Sequence, residues 1–190
     1  MESDDAAQFG DGLVYGDTIP IGWQDVGKEI SSAHILRMHQ ANERVLRCFS
    51  VIEEYRAETA DEDHAHVVHD LSRFEFKLNL LLDMVARLLV EHVSLPTPAP
   101  VKMSGSAIRW RAPTAPAIGE MISLDIYLNQ GYPIPITLYA EVRGVTAVDE
   151  GFQIDAQYRE MSESVRSWLE KMIFRYHRRQ IALSRQHGRG

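Results

Sequence analysis

A single cysteine, Cys48, in 190 residues excludes a disulfide framework and a thiolate zinc cluster, and suits a reducing compartment. Basic residues are missing from the beginning of the chain, where Lys28 is the only lysine or arginine before Arg37. The first residues, Met1-Glu2-Ser3-Asp4-Asp5, therefore lack the basic start of a signal peptide. Long apolar runs are also missing: residues 78–90 are broken by Asp83 and Arg87 and are too short to span a bilayer. A cytoplasmic chain with no membrane insertion is the expectation. With a formal net charge of -7, general nucleic-acid binding is not expected. No serine stands in a nucleophile-elbow pattern, and no Gly-rich phosphate loop precedes a helix. An enzyme is not expected, and no cofactor is called for.

What is present is an ordinary globular composition, 45% hydrophobic and 25% charged, enough for a core. Glycine and proline are absent throughout residues 31–95, and the pattern there is helical. Val67, Leu71, Phe74, Leu78, Leu81, Val85 and Leu88 fall at strict 4-3-4-3 spacing. Thr59 and Glu62 fit a capping box, and Pro96, Pro98 and Pro100 end the helix because proline cannot continue the ladder. Upstream, Ile35, Met38, Val45, Phe49 and Ile52 keep heptad spacing, with Asn42 in the missing position as a polar residue that fixes register. The turn-like residues 56–60 make the pair an antiparallel helical hairpin. Val68, Leu82 and Leu89 widen the apolar stripe beyond what one partner helix covers, which points to self-association. The bland reading is a hairpin lying on the rest of the fold.

Residues 101–160 alternate with period two. Ile122, Leu124, Ile126 and Leu128 share one face, as do Ile136, Leu138, Ala140 and Val142, and then Phe152, Ile154, Ala156 and Tyr158. With residues 107–111 and Ile19, Ile21 and Trp23, five or six short antiparallel strands are expected, enough for a small barrel. The fold class is α+β. A final helix presents Val165, Trp168, Leu169, Met172, Ile173 and Tyr176 on one face, as a lid would. Its carboxyl end is rich in arginine, which suits a helix terminus and a solvated tail.

Two clusters carry candidate chemistry. His64, His66 and His69, with Asp63 or Asp70, have spacing that would admit a metal, but they read better as solvated polar residues at a helix start. No metal site is therefore assigned. The second cluster is Lys102-Met103-Ser104-Gly105-Ser106-Ala107-Ile108-Arg109-Trp110, where small residues enter a strand that continues with a basic and an aromatic residue. Such a segment could cradle a phosphate and stack a base.

This segment, followed by Gly119 opening a strand and by Gly151-Phe152-Gln153-Ile154, resembles a PilZ domain. The resemblance implies a small six-stranded barrel that binds cyclic di-GMP through an Arg-x-x-x-Arg stretch and an Asp/Asn-x-Ser-x-x-Gly stretch. Ser104 matches the motif serine, Lys102 stands where the acidic or amide residue belongs, and Ala107 stands for the glycine. The arginine pair is absent before the first strand; Arg175 with Arg179, and Arg185 with Arg189, have its spacing at the other end of the chain. Paired guanidiniums make bidentate phosphate contacts that serine and backbone amides cannot replace. The chain is similar to the atypical, tetrameric branch, which carries two heptad helices between its first and second strands.

The resemblance implies residues 1–14 as an acidic arm and 15–30 as the first strand of the barrel. Residues 31–95 would be the inserted hairpin, 96–185 the remaining barrel with its last helix, and 186–190 a tail. It implies a non-enzymatic adaptor in cyclic di-GMP signalling, a homotetramer with protein partners and degenerate ligand motifs. The alternative is a receptor using Ser104, Ser106, Arg109 and basic residues of the last helix; a metal enzyme using His64, His66 and His69 is a third reading. On the seam assignment, Leu78→Asp with Leu81→Asp should break the assembly. Light scattering that finds the mass unchanged would refute the seam.

Overall fold

The computed structural model describes residues 13–27, 31–58, 94–129 and 134–187, without the side chains of 49–58, 180 and 182–187. Six strands close into an antiparallel barrel in the order β1-β2-β3-β6-β5-β4. They are β1 (Tyr15–Asp25), β2 (Pro98–Met103), β3 (Ala107–Ala112), β4 (Met121–Ile126), β5 (Ile136–Val148) and β6 (Gly151–Arg159). Helix α1 (Ser32–Glu58) follows β1, and helix α2 (Glu163–His187) follows β6. Closure depends on β1, whose residues 15–20 pair with β2 while residues 21–25 pair with β4.

The period-two residues point inward as expected. Ile122, Leu124 and Ile126, Ile136, Leu138, Ala140 and Val142, and Ile154, Ala156 and Tyr158 are all buried in one core. The β5–β6 turn comes so close to the end of β3 that a Cβ on Gly151 would lie 2.5 Å from the Ala112 carbonyl oxygen. Gly151 also has φ of 111°, so only glycine fits there.

Strand β2 departs from the expectation that Pro96, Pro98 and Pro100 merely end a helix. Residues from Pro98 onward pair with β1, Pro98 facing Pro20 and Pro100 facing Thr18. Proline is tolerated in a strand where its missing N–H falls on an unpaired side. Here the pairing of β2 with β3 begins only at Val101.

Helix α2 covers one part of the barrel as expected. Val165, Leu169, Met172 and Ile173 are buried, with Trp168 and Tyr176 packed against the same core. The Ser162 hydroxyl caps it by accepting the Val165 N–H at 3.2 Å, and Glu163 lies in its first turn. The Tyr176 ring packs tilted against Tyr15, with centroids 4.4 Å apart, and Tyr176 donates its hydroxyl hydrogen to the Gly16 carbonyl.

Helix α1 changes the reading of the upstream heptad residues. Met38, Asn42 and Leu46 form a buried stripe at four-residue spacing, with Ile35 and Val45 half-buried beside it. The Asn42 amide donates to the Thr137 carbonyl at 2.6 Å and accepts the Thr137 N–H at 2.9 Å. Met38, Asn42 and Leu46 are therefore covered within the chain, against β5 and α2. A polar residue at a heptad position looks the same in sequence whether it faces a second helix or the open backbone of a strand. Leu46, outside the heptad register, is part of the core. The side chains of Phe49 and Ile52, together with Val67, Leu71, Phe74, Leu78, Leu81, Val85 and Leu88, lie outside the described residues, as do His64, His66 and His69.

Inside the barrel the Tyr158 hydroxyl is buried without a hydrogen-bond partner, and burial pushes its pKa far above the ordinary 10.0. Desolvation raises Tyr139 too, and Tyr127 by desolvation followed by the Asp125 charge. Above about pH 10 the unfolded chain releases phenolic protons that the folded chain retains, so stability must fall as pH rises. Tyr158→Phe should leave stability at pH 7 unchanged or raise it by up to about 1 kcal/mol, because an unpaired buried hydroxyl only costs. It should also flatten the alkaline loss of the urea midpoint. Destabilisation at pH 7 would show that the hydroxyl holds a bond and would contradict this account.

Candidate functional site

The candidate segment is the β2–β3 turn with the start of β3. The Ser104 N–H donates to the Ala107 carbonyl at 2.9 Å, closing the turn. Ser104 itself is 2% exposed. Its Oγ accepts the Ser106 N–H at 3.3 Å and the Ala107 N–H at 3.2 Å, and lies 3.4 Å from the Ser106 hydroxyl. A serine in this position mimics a backbone turn and satisfies two amides that would otherwise face an incoming ligand. The Ser106 carbonyl in turn accepts the Tyr158 N–H at 2.9 Å, which ties the turn to β6.

Helix α2 lies directly on this turn. A Cβ built on Gly105 would sit 2.6 Å from Glu170 Oε1 and 2.8 Å from its Cγ. Only a residue without a side chain lets the Glu170 stem rest there. The consequence is electrostatic as well as steric, because the contact places a carboxylate beside the turn.

Along the outer face, the register sets Gly16 beside Lys102, Lys102 beside Arg109, Arg109 beside Asp155 and Asp155 beside Gly144. The Arg109 Nε donates to Asp155 Oδ1 at 2.5 Å, with both side chains largely shielded, 16% and 10% exposed. A shielded charge-assisted pair of this kind holds its guanidinium firmly. Lys102 is exposed at the edge of the row. Ala107 pairs with Gln157, half-buried, where the motif glycine would stand.

Trp110 is not in this row. It is 1% exposed, with its ring inside the barrel and its Nε1 without a hydrogen-bond partner. Strand alternation explains this: Arg109 faces out, so Trp110 faces in, and its ring cannot stack on a ligand outside the barrel. The structure thus brings Lys102 and Arg109 together on one face and Ser104, Ser106 and Ala107 into one turn, while Trp110 belongs to the core.

Sequence reasoning missed Asp155 and Glu170. Asp155 was in principle findable, since the inward phase of Ile154 and Ala156 leaves it outward on the strand that pairs with β3. Glu170 stood out only as an acid in a basic helix, and nothing local shows which loop it touches. Among the described residues no group of three His, Cys, Asp or Glu could hold a metal, and no helix is long and apolar enough to cross a membrane.

Residues 46–186 match the model of the family described as "Atypical PilZ domain, cyclic di-GMP receptor". No curated protein matches the chain. Among solved structures, a pathogenic protein from Xanthomonas campestris is similar at 24% identity and a TM-score of 0.76, over 95% of this chain and 97% of that one. It is described as a tetrameric PilZ domain self-assembled via an unusual helical bundle. The inhibitor of motility from Bacillus subtilis is similar at 20% identity and a TM-score of 0.37, over 45% of this chain and 42% of that one.

Proposed function

The chain belongs to the atypical PilZ family, and on that premise we propose that it is a non-enzymatic regulatory adaptor of cyclic di-GMP signalling which does not bind the nucleotide by the ordinary two-motif mechanism. The observation that carries this reading is the occupation of the candidate ligand segment by the chain's own groups. Ser104 Oγ is spent on two turn amides, Glu170 lies on Gly105, and Arg109 is paired with Asp155. A dianionic ligand seated on the turn and on Arg109 would have to displace the Glu170 carboxylate and compete with Asp155 for the guanidinium.

Self-assembly is the second part of the proposal. The Xanthomonas protein is tetrameric through a helical bundle, and this chain carries a heptad stripe in the corresponding insertion. Helices α1 and α2 leave the barrel in the same direction, since His39 meets Glu160 and Arg47 lies over Trp168, with both numberings rising together. A tetramer built through residues 67–88 would present its barrels as a multivalent array and raise the effective concentration at a partner.

The second reading, a receptor with a non-standard site, is favoured by the family description itself. Its candidate groups are Lys102, Arg109 and Arg166, the last one helical turn before Glu170 and with a buried Nε lacking a partner. Calorimetric titration of cyclic di-GMP into the assembled protein separates the two. The adaptor reading expects no saturable heat at micromolar concentrations. Saturable binding that is lost in Arg109→Ala would replace it with the receptor reading.

A further inference from the structure

At the other end of β2 from the Ser104 turn, the β2–β3 ladder opens. Its pairs extend only from Val101 with Trp110 to Met103 with Ile108. The bond from Ser104 N–H to the Ala107 carbonyl shows which way each backbone points. In an antiparallel pair a residue's N–H and C=O face the same neighbour, and alternate residues face alternate neighbours. Lys102, Pro100 and Pro98 therefore aim at β3, while Arg109, Arg111 and Pro113 aim back. Continuing the register sets Pro100 across from Arg111 and Pro98 across from Pro113. Three of these four residues are prolines, which have a carbonyl and no N–H. With Arg111 the one N–H donor among the four, the ladder lacks the donors to continue, so the strands part.

The parting leaves an open groove of about 1210 Å³. Residues 96–100 line one bank and residues 111–114 the other, with Trp23 of β1 and the exposed carboxylates Asp149 and Glu150 of the β5–β6 turn completing it. Among the described residues that line it, Arg111 is the only lysine or arginine. The groove is thus rich in carbonyl acceptors, carries two carboxylates against one guanidinium, and has rigid walls because each proline has a fixed φ. Rigid walls lower the ordering cost of binding.

We propose that this groove docks an extended segment of a partner protein that carries arginine or lysine side chains. The segment's backbone N–H groups and cationic heads match the carbonyls and carboxylates, and its apolar residues match Trp23 and the prolines. The inference deepens the adaptor reading, and rests on it for the occupant being a protein.

The test uses the full chain and a fluorescein-labelled, capped hexapeptide of alternating valine and arginine, followed by fluorescence anisotropy. The arginine peptide should bind and its glutamate counterpart should not. Asp149→Lys with Glu150→Lys should weaken binding about tenfold, as expected for reversing two rim charges. Thr97→Trp, which fills the groove without altering charge, should also weaken it, whereas diffuse attraction to an acidic protein would be indifferent to it. No binding at about millimolar peptide, equal binding of the glutamate peptide, or binding unaffected by either variant would overturn the proposal. So would a fall in assembly mass for the lysine variant, since a second copy would then be the occupant. The assay contains no cyclic di-GMP, so peptide binding alongside calorimetric nucleotide binding would overturn the adaptor reading and leave the groove standing. The opposite pair of results would do the reverse.

Discussion

The two hydrogen bonds between the Asn42 amide and the Thr137 backbone govern how the helices sit on the barrel. The pairing of β5 with β6 begins only at Tyr139, so on that side the Thr137 backbone needs a partner that a helix side chain can supply. Asn42 provides a donor and an acceptor together, at 2% exposure, where each bond is worth more than it would be in water. The Thr137 hydroxyl continues the network to Asp125 at 2.7 Å. With Leu46 and Met38 on either side, the first half of α1 is held to the barrel. Helix α2 runs alongside in the same direction, and Arg47 of α1 and Lys171 of α2 both lie over the Trp168 ring, at 5.6 and 4.7 Å.

The same economy of internal contacts decides the chemistry of the β2–β3 turn. A barrel of this size has little surface to spare, and α2 covers part of it with Val165, Leu169 and Ile173. Its placement lays Glu170 over Gly105. Asp155 meanwhile claims Arg109 from the neighbouring strand. Around the turn, Lys102 faces Arg109 across the β2–β3 ladder and Ala107 faces Gln157 of β6.

The inward faces of the strands were legible because period-two alternation is a direct image of the barrel interior, as Ile122, Leu124 and Ile126 illustrate. The lid face of α2 was legible for the same reason at helical period. Strand β2 was not, because Pro98 and Pro100 argue against a strand unless the partner on one side is known to be missing. Asn42 was misread because heptad spacing records that a face is buried and says nothing of what buries it. At the candidate site, Lys102, Ser104 and Arg109 could be singled out from the sequence, but Asp155, which pairs with Arg109, and Glu170, which lies against Gly105, come from β6 and α2. Trp110 was placed on the wrong side of its strand, although the phase of Arg109 already argued against it.

Hydrogen exchange at the Ser106 and Ala107 amides, with and without cyclic di-GMP, tests the central claim most directly. These two N–H groups already donate to Ser104 Oγ, on a turn where the Glu170 side chain rests against Gly105. Their protection should be the same in the presence and absence of saturating nucleotide. A nucleotide-dependent slowing of exchange at these two positions would show that the turn opens to a ligand, and would contradict the account.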